Sequence, residues 1–164
     1  MEIKDSGNRR TFPNGGVRDM AEGKGTCHLL PLDIVAEIYA YERQNKGIHL
    51  NTNEVFDCLN EYQEKKYTTC IYPVIVSFAN EVFGNLETAI LELAIHYEMG
   101  AKKYAPNNWK KICDTQCFLD SAIRHYLKFL RGDNDEPHNR AFLWNLVGLL
   151  WTEEHCDKES KNGD

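Results

Sequence analysis

Apolar residues at helical spacing are the feature that most restricts the fold of this sequence. From Leu30 onward they recur every three or four positions, which is the period of an amphipathic α-helix. Internal repeats, heptad arrays and convincing hairpin turns are missing, so we expect an all-α bundle of about five helices. The predicted helices cover residues 30–44, 53–66, 86–99, 120–131 and 136–154.

One further segment, residues 70–83, is ambiguous because its β-branched run would also suit a short strand. Pro73 and the later apolar spacing favour the start of a helix, and we interpret the segment as helical. Small polar residues and glycines mark the other boundaries. The expected caps are Asn53 and Asn85, and the expected stops are Gly100 and Gly132.

The two ends of the chain are polar. Residues 1–28 are rich in glycine and carry scattered charges, which predicts an irregular N-terminal arm. Residues 29–155 form the predicted helical domain, which is expected to carry any catalytic site. Residues 156–164 are almost free of apolar side chains, which predicts a disordered tail.

The charge balance restricts the partners of the protein. A formal net charge of -6 argues against a nucleic-acid-binding surface, because such surfaces depend on lysine and arginine. A nucleotide substrate remains possible, since divalent cations can bridge carboxylates and phosphates. The N-terminus lacks the apolar core of a secretory signal, and no stretch approaches 18 apolar residues. We therefore expect a cytoplasmic protein that does not bind membranes.

The six cysteines are expected to be free thiols, because the cytoplasm is reducing. Cys113 and Cys117 are the only closely spaced pair, and a second pair at zinc-finger spacing is missing. A zinc protein that uses these two cysteines together with histidines is therefore a minor alternative.

Residues 131–145, RGDNDEPHNRAFLWN, are the most informative stretch for chemistry. Asp133, Asp135 and Glu136 precede or open an apolar helix, where carboxylates also simply stabilise the helix N-terminus. A polar line then follows the same helix at steps of three or four residues, which suggests a site on a buried face. The line consists of Asp135, His138, Ala141, Asn145 and Gly148.

A second polar line lies on the predicted helix 86–99. Glu92 and His96 are four residues apart, and Glu98 follows on the next turn. Carboxylates on facing helices can complete the shell of a hard cation, although the same residues are also ordinary on a solvated helix surface.

Cationic and aromatic residues supply candidates for nucleotide binding. Arg124 is spaced to pair with Asp120, and the alternative is that its guanidinium faces a phosphate. Glycine-rich and polar loops add ammonium, amide and aromatic groups, which suit phosphates and bases but are also common in loops. A Walker loop is absent. The loop candidates are Arg18, Lys24, Lys102, Lys103, Tyr104, Asn107, Asn108 and Trp109.

Several segments in a fixed order resemble the phage and prophage dATP/dGTP diphosphohydrolases, which are similar to the all-α MazG-like nucleotide pyrophosphohydrolases. The resemblance covers most of residues 5–152, whereas residues 46–85 carry no family motif and look like a variable insertion. The segments are SGNRRTF, GGVRDMAEGKG, LLPLDIV, HYEMGAKKYAPNNWKK and DSAIRHYLKFLRGDNDEPHNRAFLWN.

The resemblance implies hydrolysis of a purine deoxynucleoside triphosphate, dATP or dGTP, to the monophosphate and pyrophosphate. It also implies Mg²⁺ or Mn²⁺ as cofactor, a homodimer or homotetramer, and a phage or prophage origin in a bacterial cytoplasm. The implied catalytic residues and metal ligands are Glu98, Asp135 and Glu136, and the polar line on helix 86–99 adds Glu92 as a ligand. His125 and His138 join the catalytic set as ligands, proton carriers or scaffold. The resemblance implies Lys24, Lys103 and Arg124 for the phosphates and Asn108, Trp109 and Asn145 around the nucleoside, and the loop composition adds Arg18 and Tyr104 to the substrate-binding residues.

The sequence departs from the family pattern at a few positions. Ala105 stands where a glycine is expected, a glycine after NWKK is missing, and Ala141 stands where a second histidine is common. The paired ExxE and ExxD carboxylates of MazG-like enzymes are not clean either. A catalytically inactive nucleotide-binding or structural phage protein is therefore the alternative.

Overall fold

Six α-helices carry most of the regular structure of residues 7–156, which are the residues that the computed structural model describes. The predicted all-α helical bundle is confirmed. Short 3-10 turns at Cys27–Leu29, Thr68–Cys70 and Asn108–Lys111 connect some of the helices. The helices are α1 (Leu32–Gln44), α2 (Thr52–Lys65), α3 (Ile71–Phe83), α4 (Leu86–Lys103), α5 (Thr115–Arg131) and α6 (His138–His155).

Helix α6 lies at the centre of the bundle. It packs most closely on α5 and also contacts α4, α3 and α1. Its middle turns are buried on nearly all sides, as expected for a helix without a solvated face. The rings of Phe78 and Tyr126 each lie 4.8 Å from that of Phe142, which is fully buried. The core therefore holds α6 rigidly, and the first turn of this helix is a fixed platform for polar side chains.

The structure resolves the ambiguous segment as helix α3, as predicted. Most of its side chains are buried, from Ile71 to Ala79. Among the described residues, no single helix combines the length and apolarity needed to cross a membrane; only Thr68–Phe83 and Leu86–Lys103, taken together despite a 95° bend, meet those criteria.

The start of α2 differs from the prediction in its capping residue. Asn51 caps this helix, and the predicted cap Asn53 is wrong. The Asn51 side chain accepts the N–H of Glu54 at 2.9 Å, and the Glu54 carboxylate accepts the N–H of Asn51 at 2.7 Å. This reciprocal pair is a capping box, which requires a glutamate three residues after the cap. Only Asn51 has one at that spacing.

Helices α4 and α5 are longer than predicted. Helix α4 is capped by Asn85 as expected, but it continues through Gly100 to Lys103, so the predicted stop is wrong. A glycine inside a helix is tolerated at roughly 1 kcal/mol relative to alanine. Helix α5 begins at Thr115 because the Asp114 side chain accepts the N–H of Cys117 at 3.1 Å.

The arm contains an antiparallel hairpin that the sequence analysis did not predict. Strand β1 (Arg9–Thr11) pairs with β2 (Val17–Asp19), and Phe12 N–H donates to Gly16 C=O at 2.8 Å across the turn. The strands are three residues long and almost fully exposed, so no alternation of apolar residues marks them. The Asn-Gly dipeptide of the turn is the signal that could have predicted it.

Two of the six cysteines form a disulfide, so the expectation of six free thiols is wrong. Cys113 bonds to Cys156, with the two Cα atoms 5.6 Å apart, while Cys117 is free and exposed. The start of α5 and the end of α6 lie side by side, which brings together residues that are 43 positions apart. A cysteine in a disulfide has no thiolate to bind zinc, so Cys113 does not fit the alternative of a zinc protein. The rest of the predicted disordered tail lies outside the described residues.

Gly148 shows how closely α6 packs on α5. A Cβ atom at this position would lie 2.6 Å from Cε1 of Phe118, whereas a Cβ at Gly100 would meet no atom within 4 Å. We expect Gly148→Ala to lower the free energy of unfolding by about 1–3 kcal/mol through overpacking. Gly100→Ala, the matched control in another helix, should raise it by up to about 1 kcal/mol. Urea denaturation measures both, and equal stability of the two variants would contradict this packing.

Candidate functional site

Four of the predicted catalytic residues meet where α5 turns into α6. His125 lies on α5 and His138 opens α6, while Asp135 and Glu136 lie in the connecting loop. The loop reverses the chain because Gly132 adopts a positive φ of 84°. Its N–H and that of Asp133 bond back to carbonyls of the last turn of α5, which forms a Schellman motif. We call His125, Asp133, Asp135, Glu136 and His138 the junction cluster.

Three potential ligand atoms of the junction cluster lie at the corners of a small triangle. The Nδ1 atoms of His125 and His138 are 3.0 Å apart. Oε1 of Glu136 lies 3.8 Å from the first and 3.7 Å from the second. His138 is only 2% exposed, whereas the Glu136 side chain is half exposed. The cluster is therefore anchored in the core and opens to solvent on the side of the loop.

A carboxylate behind the triangle orients His138. Asp135 Oδ1 lies 2.7 Å from His138 Nε2, and this contact lowers the pKa of Asp135. A carboxylate acceptor holds the proton on Nε2, which leaves the Nδ1 lone pair of His138 pointing into the triangle. In the absence of a cation, His125 Nδ1–H is the matching donor.

The pKa of His125 lies below the ordinary value for histidine. Burial lowers its pKa, and the neighbouring carboxylate of Glu136 only partly opposes this effect. His125 is therefore neutral near pH 7, which is the form that ligates a metal.

The spacing of the triangle fits a divalent cation. Ligands at about 2.1 Å from one metal lie about 3.0 to 3.4 Å from each other. The observed separations of 3.0, 3.7 and 3.8 Å need only small side-chain movements to reach that range. A second group, Asp133, Asp135 and His138, also has its ligand atoms within 4.8 Å of one another. Because Arg131 neutralises Asp133 and Asp135 already binds His138, the first group is the better candidate.

The second predicted polar line faces the first turn of α6. Glu92 Oε2 lies 3.3 Å from Nη1 of Arg140, so the structure pairs this predicted metal ligand with a cation. The His96 ring packs at 5.4 Å from Trp144. Arg140 was not among the predicted site residues, although a charged residue two positions after His138 in an apolar helix was the available signal. Asp133 was likewise left out of the predicted site despite its place in the same acidic loop.

Glu98 anchors the arm to the bundle. Its two carboxylate oxygens accept the N–H groups of Gly23 and Gly25 at 2.8 and 2.9 Å, and the bond from Gly23 is the main cause of its lowered pKa. Gly25 has a positive φ of 86°, and a Cβ there would approach Ala94 at 3.0 Å. The predicted catalytic and ligand roles of Glu98 stay predictions, since its oxygens are engaged by the backbone here. Lys24 lies exposed between the two glycines.

The predicted substrate-binding residues are dispersed. Trp109 is buried against Tyr97 and Trp151, at ring distances of 5.5 and 5.0 Å. Asn145 is buried and donates to the carbonyl of Ala141 at 2.8 Å. These contacts give both residues a packing role, and their assignment to the nucleoside stays a prediction.

The remaining candidates lie nearer the surface. Arg124 pairs with Asp120 on α5, and Tyr104 is 66% exposed with the Lys103 ammonium 5.2 Å from its ring. Arg18 is exposed on β2, and Asn108 is half-buried at the start of its 3-10 turn. Their roles in substrate binding also stay predictions.

Comparison with known families agrees with the resemblance seen in the sequence. The family model described as "dATP/dGTP diphosphohydrolase, N-terminal" matches residues 81–162, which is half of the chain. This range runs from the end of α3 through α6 and contains the whole junction cluster. No curated protein and no solved structure matches the chain. On the strength of the family match, the chain belongs to the dATP/dGTP diphosphohydrolase family.

Proposed function

We propose that this protein hydrolyses dATP or dGTP to the monophosphate and pyrophosphate, with a divalent cation held by His125, Glu136 and His138. The observation that carries the proposal is the triangle of two imidazole nitrogens and one carboxylate oxygen at the α5–α6 junction. The family name supports the reaction class, and the donor geometry supports the place of the cation.

The donor set favours Mn²⁺ over Mg²⁺. Mg²⁺ prefers oxygen ligands and retains its waters, whereas imidazole nitrogen is a good ligand for later first-row metals. When bound, such a cation neutralises phosphate charge and makes water a better nucleophile. The resemblance implies either Mg²⁺ or Mn²⁺ with carboxylate ligands, and the two histidines of the triangle are the reason to prefer Mn²⁺.

The surrounding residues would orient the ligands and the triphosphate. Asp135 holds the Nε2 proton of His138 and thereby sets which nitrogen faces the cation. Lys128 Nζ lies 4.0 Å from Glu136 Oε1, and its side chain is partly exposed. An ammonium group there can attract the phosphates of an entering nucleotide.

An inactive nucleotide-binding protein is the second candidate. The observation in its favour is Glu98, an expected ligand whose oxygens are both bonded to the arm. Both the hydrolase and the inactive protein would bind nucleotide, and only the hydrolase would turn it over.

A product assay decides between them. We expect protein stripped with EDTA to be inactive, and Mn²⁺ to restore release of pyrophosphate from dATP or dGTP. Mg²⁺ should support a rate on the order of tenfold lower, because it binds imidazole weakly. The assay should separate pyrophosphate from triphosphate and single phosphate across the four deoxynucleotides. Nucleotide binding without turnover in either metal would favour the inactive protein.

A further inference from the structure

We propose that Arg140 and His96 form a binding site for the phosphate chain of the nucleotide, between α4 and the start of α6, the helix that also carries His138. This inference rests on the proposed function, because it names the part of the substrate that these donors would bind. Neither residue was assigned to substrate binding by the sequence or by the family match.

Arg140 is poorly satisfied by its neighbours. Its side chain is 14% exposed, and Nη1 reaches one oxygen of Glu92 at 3.3 Å. Nη2 meets only the sulfur of Met99, at 3.7 Å, and Nε is buried without a hydrogen-bond partner among the described residues. A guanidinium has five N–H donors, so most of its capacity is unused. A mostly buried guanidinium with so few protein partners can donate further hydrogen bonds to an anion.

His96 brings a second unused group to the same space. Its Nδ1 atom is also buried and has no hydrogen-bond partner in the part of the chain that the structure describes. Burial first, and then the charges of Arg140 and His125, lower its pKa to about 4, so the ring is neutral near pH 7. Glu92, which contacts Arg140, precedes His96 by one turn of α4, and His96 packs on Trp144, one turn after Arg140 on α6. The side chains of Arg140 and His96 therefore lie on neighbouring turns of the same α4–α6 interface. A neutral imidazole there can donate one N–H bond to an anion.

Phosphate is the ligand chemistry that fits these donors. The planar guanidinium fork can engage two oxygens of one phosphoryl group, which an ammonium cannot do. Glu92 is the carboxylate that holds Arg140 in the absence of substrate, and a phosphate oxygen would compete with it. Arg140 is two residues after His138 in the first turn of α6, so the two side chains leave the helix on different faces. Arg140 faces α4 and His138 faces α5, which places the phosphate site on the α4 side of the turn that carries the candidate cation ligand.

The test measures ligand binding without turnover. The probes are α,β-methylene dATP, which cannot be cleaved at the α–β bond, and inorganic pyrophosphate, each titrated by calorimetry with Mn²⁺ present. We expect Arg140→Gln to raise the Kd of both probes by about 10- to 100-fold. Arg140→Lys should raise the Kd severalfold, since it keeps the charge and loses the fork. Arg43→Gln, which removes an exposed arginine at the end of α1, is the matched control and should leave both values unchanged.

Glu92→Gln separates this role from the predicted ligand role of Glu92. If Glu92 only holds Arg140, Glu92→Gln should leave the affinity for Mn²⁺ unchanged, and the affinity for pyrophosphate should stay the same or increase. Loss of Mn²⁺ affinity in this variant would instead make Glu92 a ligand of the cation and would contradict its role as a partner of Arg140 alone.

The outcomes distinguish this inference from the proposed function. Binding that depends on Arg140 in a protein without turnover would keep the phosphate site and refute the hydrolase. If the unmodified protein hydrolyses the nucleotide and Arg140→Gln changes both Kd values by less than twofold, Arg140 only joins two helices. This conclusion would hold even if the variant has a lower melting temperature. If that variant does not fold, the Kd of Arg140→Lys decides. Absence of binding by the unmodified protein would overturn both.

Discussion

His138→Ala is expected to lower the rate of pyrophosphate release by at least about a thousandfold, because a ligand is lost from a metal that activates the reaction. His138 belongs to both groups of candidate ligands at the α5–α6 junction. Its removal also deprives Asp135 of its 2.7 Å contact and His125 of its 3.0 Å contact. The measurement is kcat with saturating dATP or dGTP and Mn²⁺, together with the Mn²⁺ affinity of the variant.

The same helix supplies a matched control. His155, at the other end of α6, also contacts a carboxylate at 2.7 Å, that of Asp33, but lies outside the junction cluster. We expect His155→Ala to retain activity close to that of the unmodified protein. Thermal melts of both variants check that the bundle persists. If His138→Ala keeps Mn²⁺ affinity and loses less than tenfold in kcat, the cation does not bind where we propose.

Acid is expected to destabilise the fold through His96. Its pKa is about 4 in the folded protein, mainly because of burial, and about 6.5 when the chain is unfolded. As the pH falls below about 6.5, His96 becomes protonated in the unfolded chain, whereas in the folded protein it stays neutral down to about pH 4. The contribution is therefore fully present above the unfolded pKa and is lost across this window. It amounts to about 3 kcal/mol.

The groups around His96 explain why its ring resists protonation. Arg140 from α6 and His125 from α5 both disfavour a positive charge there, and Glu92 is occupied by Arg140. Urea unfolding at pH 7 and pH 4.5, in EDTA, should show that the unmodified protein loses about 2 to 3 kcal/mol more than His96→Gln does. Carboxylates such as Asp133 titrate in both proteins, so their effect cancels in this difference.

A second histidine tests the specificity of that result. His49 is exposed, with 67% of its side chain accessible, and His49→Gln should keep the pH profile of the unmodified protein. If the stability of His96→Gln depends on pH in the same way as that of the unmodified protein, His96 is hydrated in the folded state. The Nδ1 atom of His96 would then no longer support the phosphate site.

The helices themselves could be predicted from the sequence, because their determinants are local. Helical spacing of apolar residues identified α1, α4 and α6, and Asn85 and Gly132 were correctly placed as boundary residues. The prediction of the cap of α2 was wrong because two nearby residues have equally good capping side chains. Asn51 and Asn53 are both good caps, and only the position of Glu54 decides between them.

The junction cluster was predicted in part for the same reason. Asp135, Glu136 and His138 lie within four residues of each other, so any turn before a helix keeps them close. His125 joins them because the Schellman motif at Gly132 folds α6 back onto α5. Sequence spacing thus predicted the acidic loop, whereas the Nδ1 contact between the histidines follows from the packing of two helices.

The helical class, the family and the acidic loop before α6 could be predicted because periodicity and motifs are properties of neighbouring residues. Three contacts could not be predicted in this way and follow from the packing of the folded chain: Glu98 with the arm, Cys113 with Cys156, and Glu92 with Arg140. These contacts join residues 43 to 75 positions apart. Burial and orientation at such separations depend on how helices pack, and no local pattern encodes them.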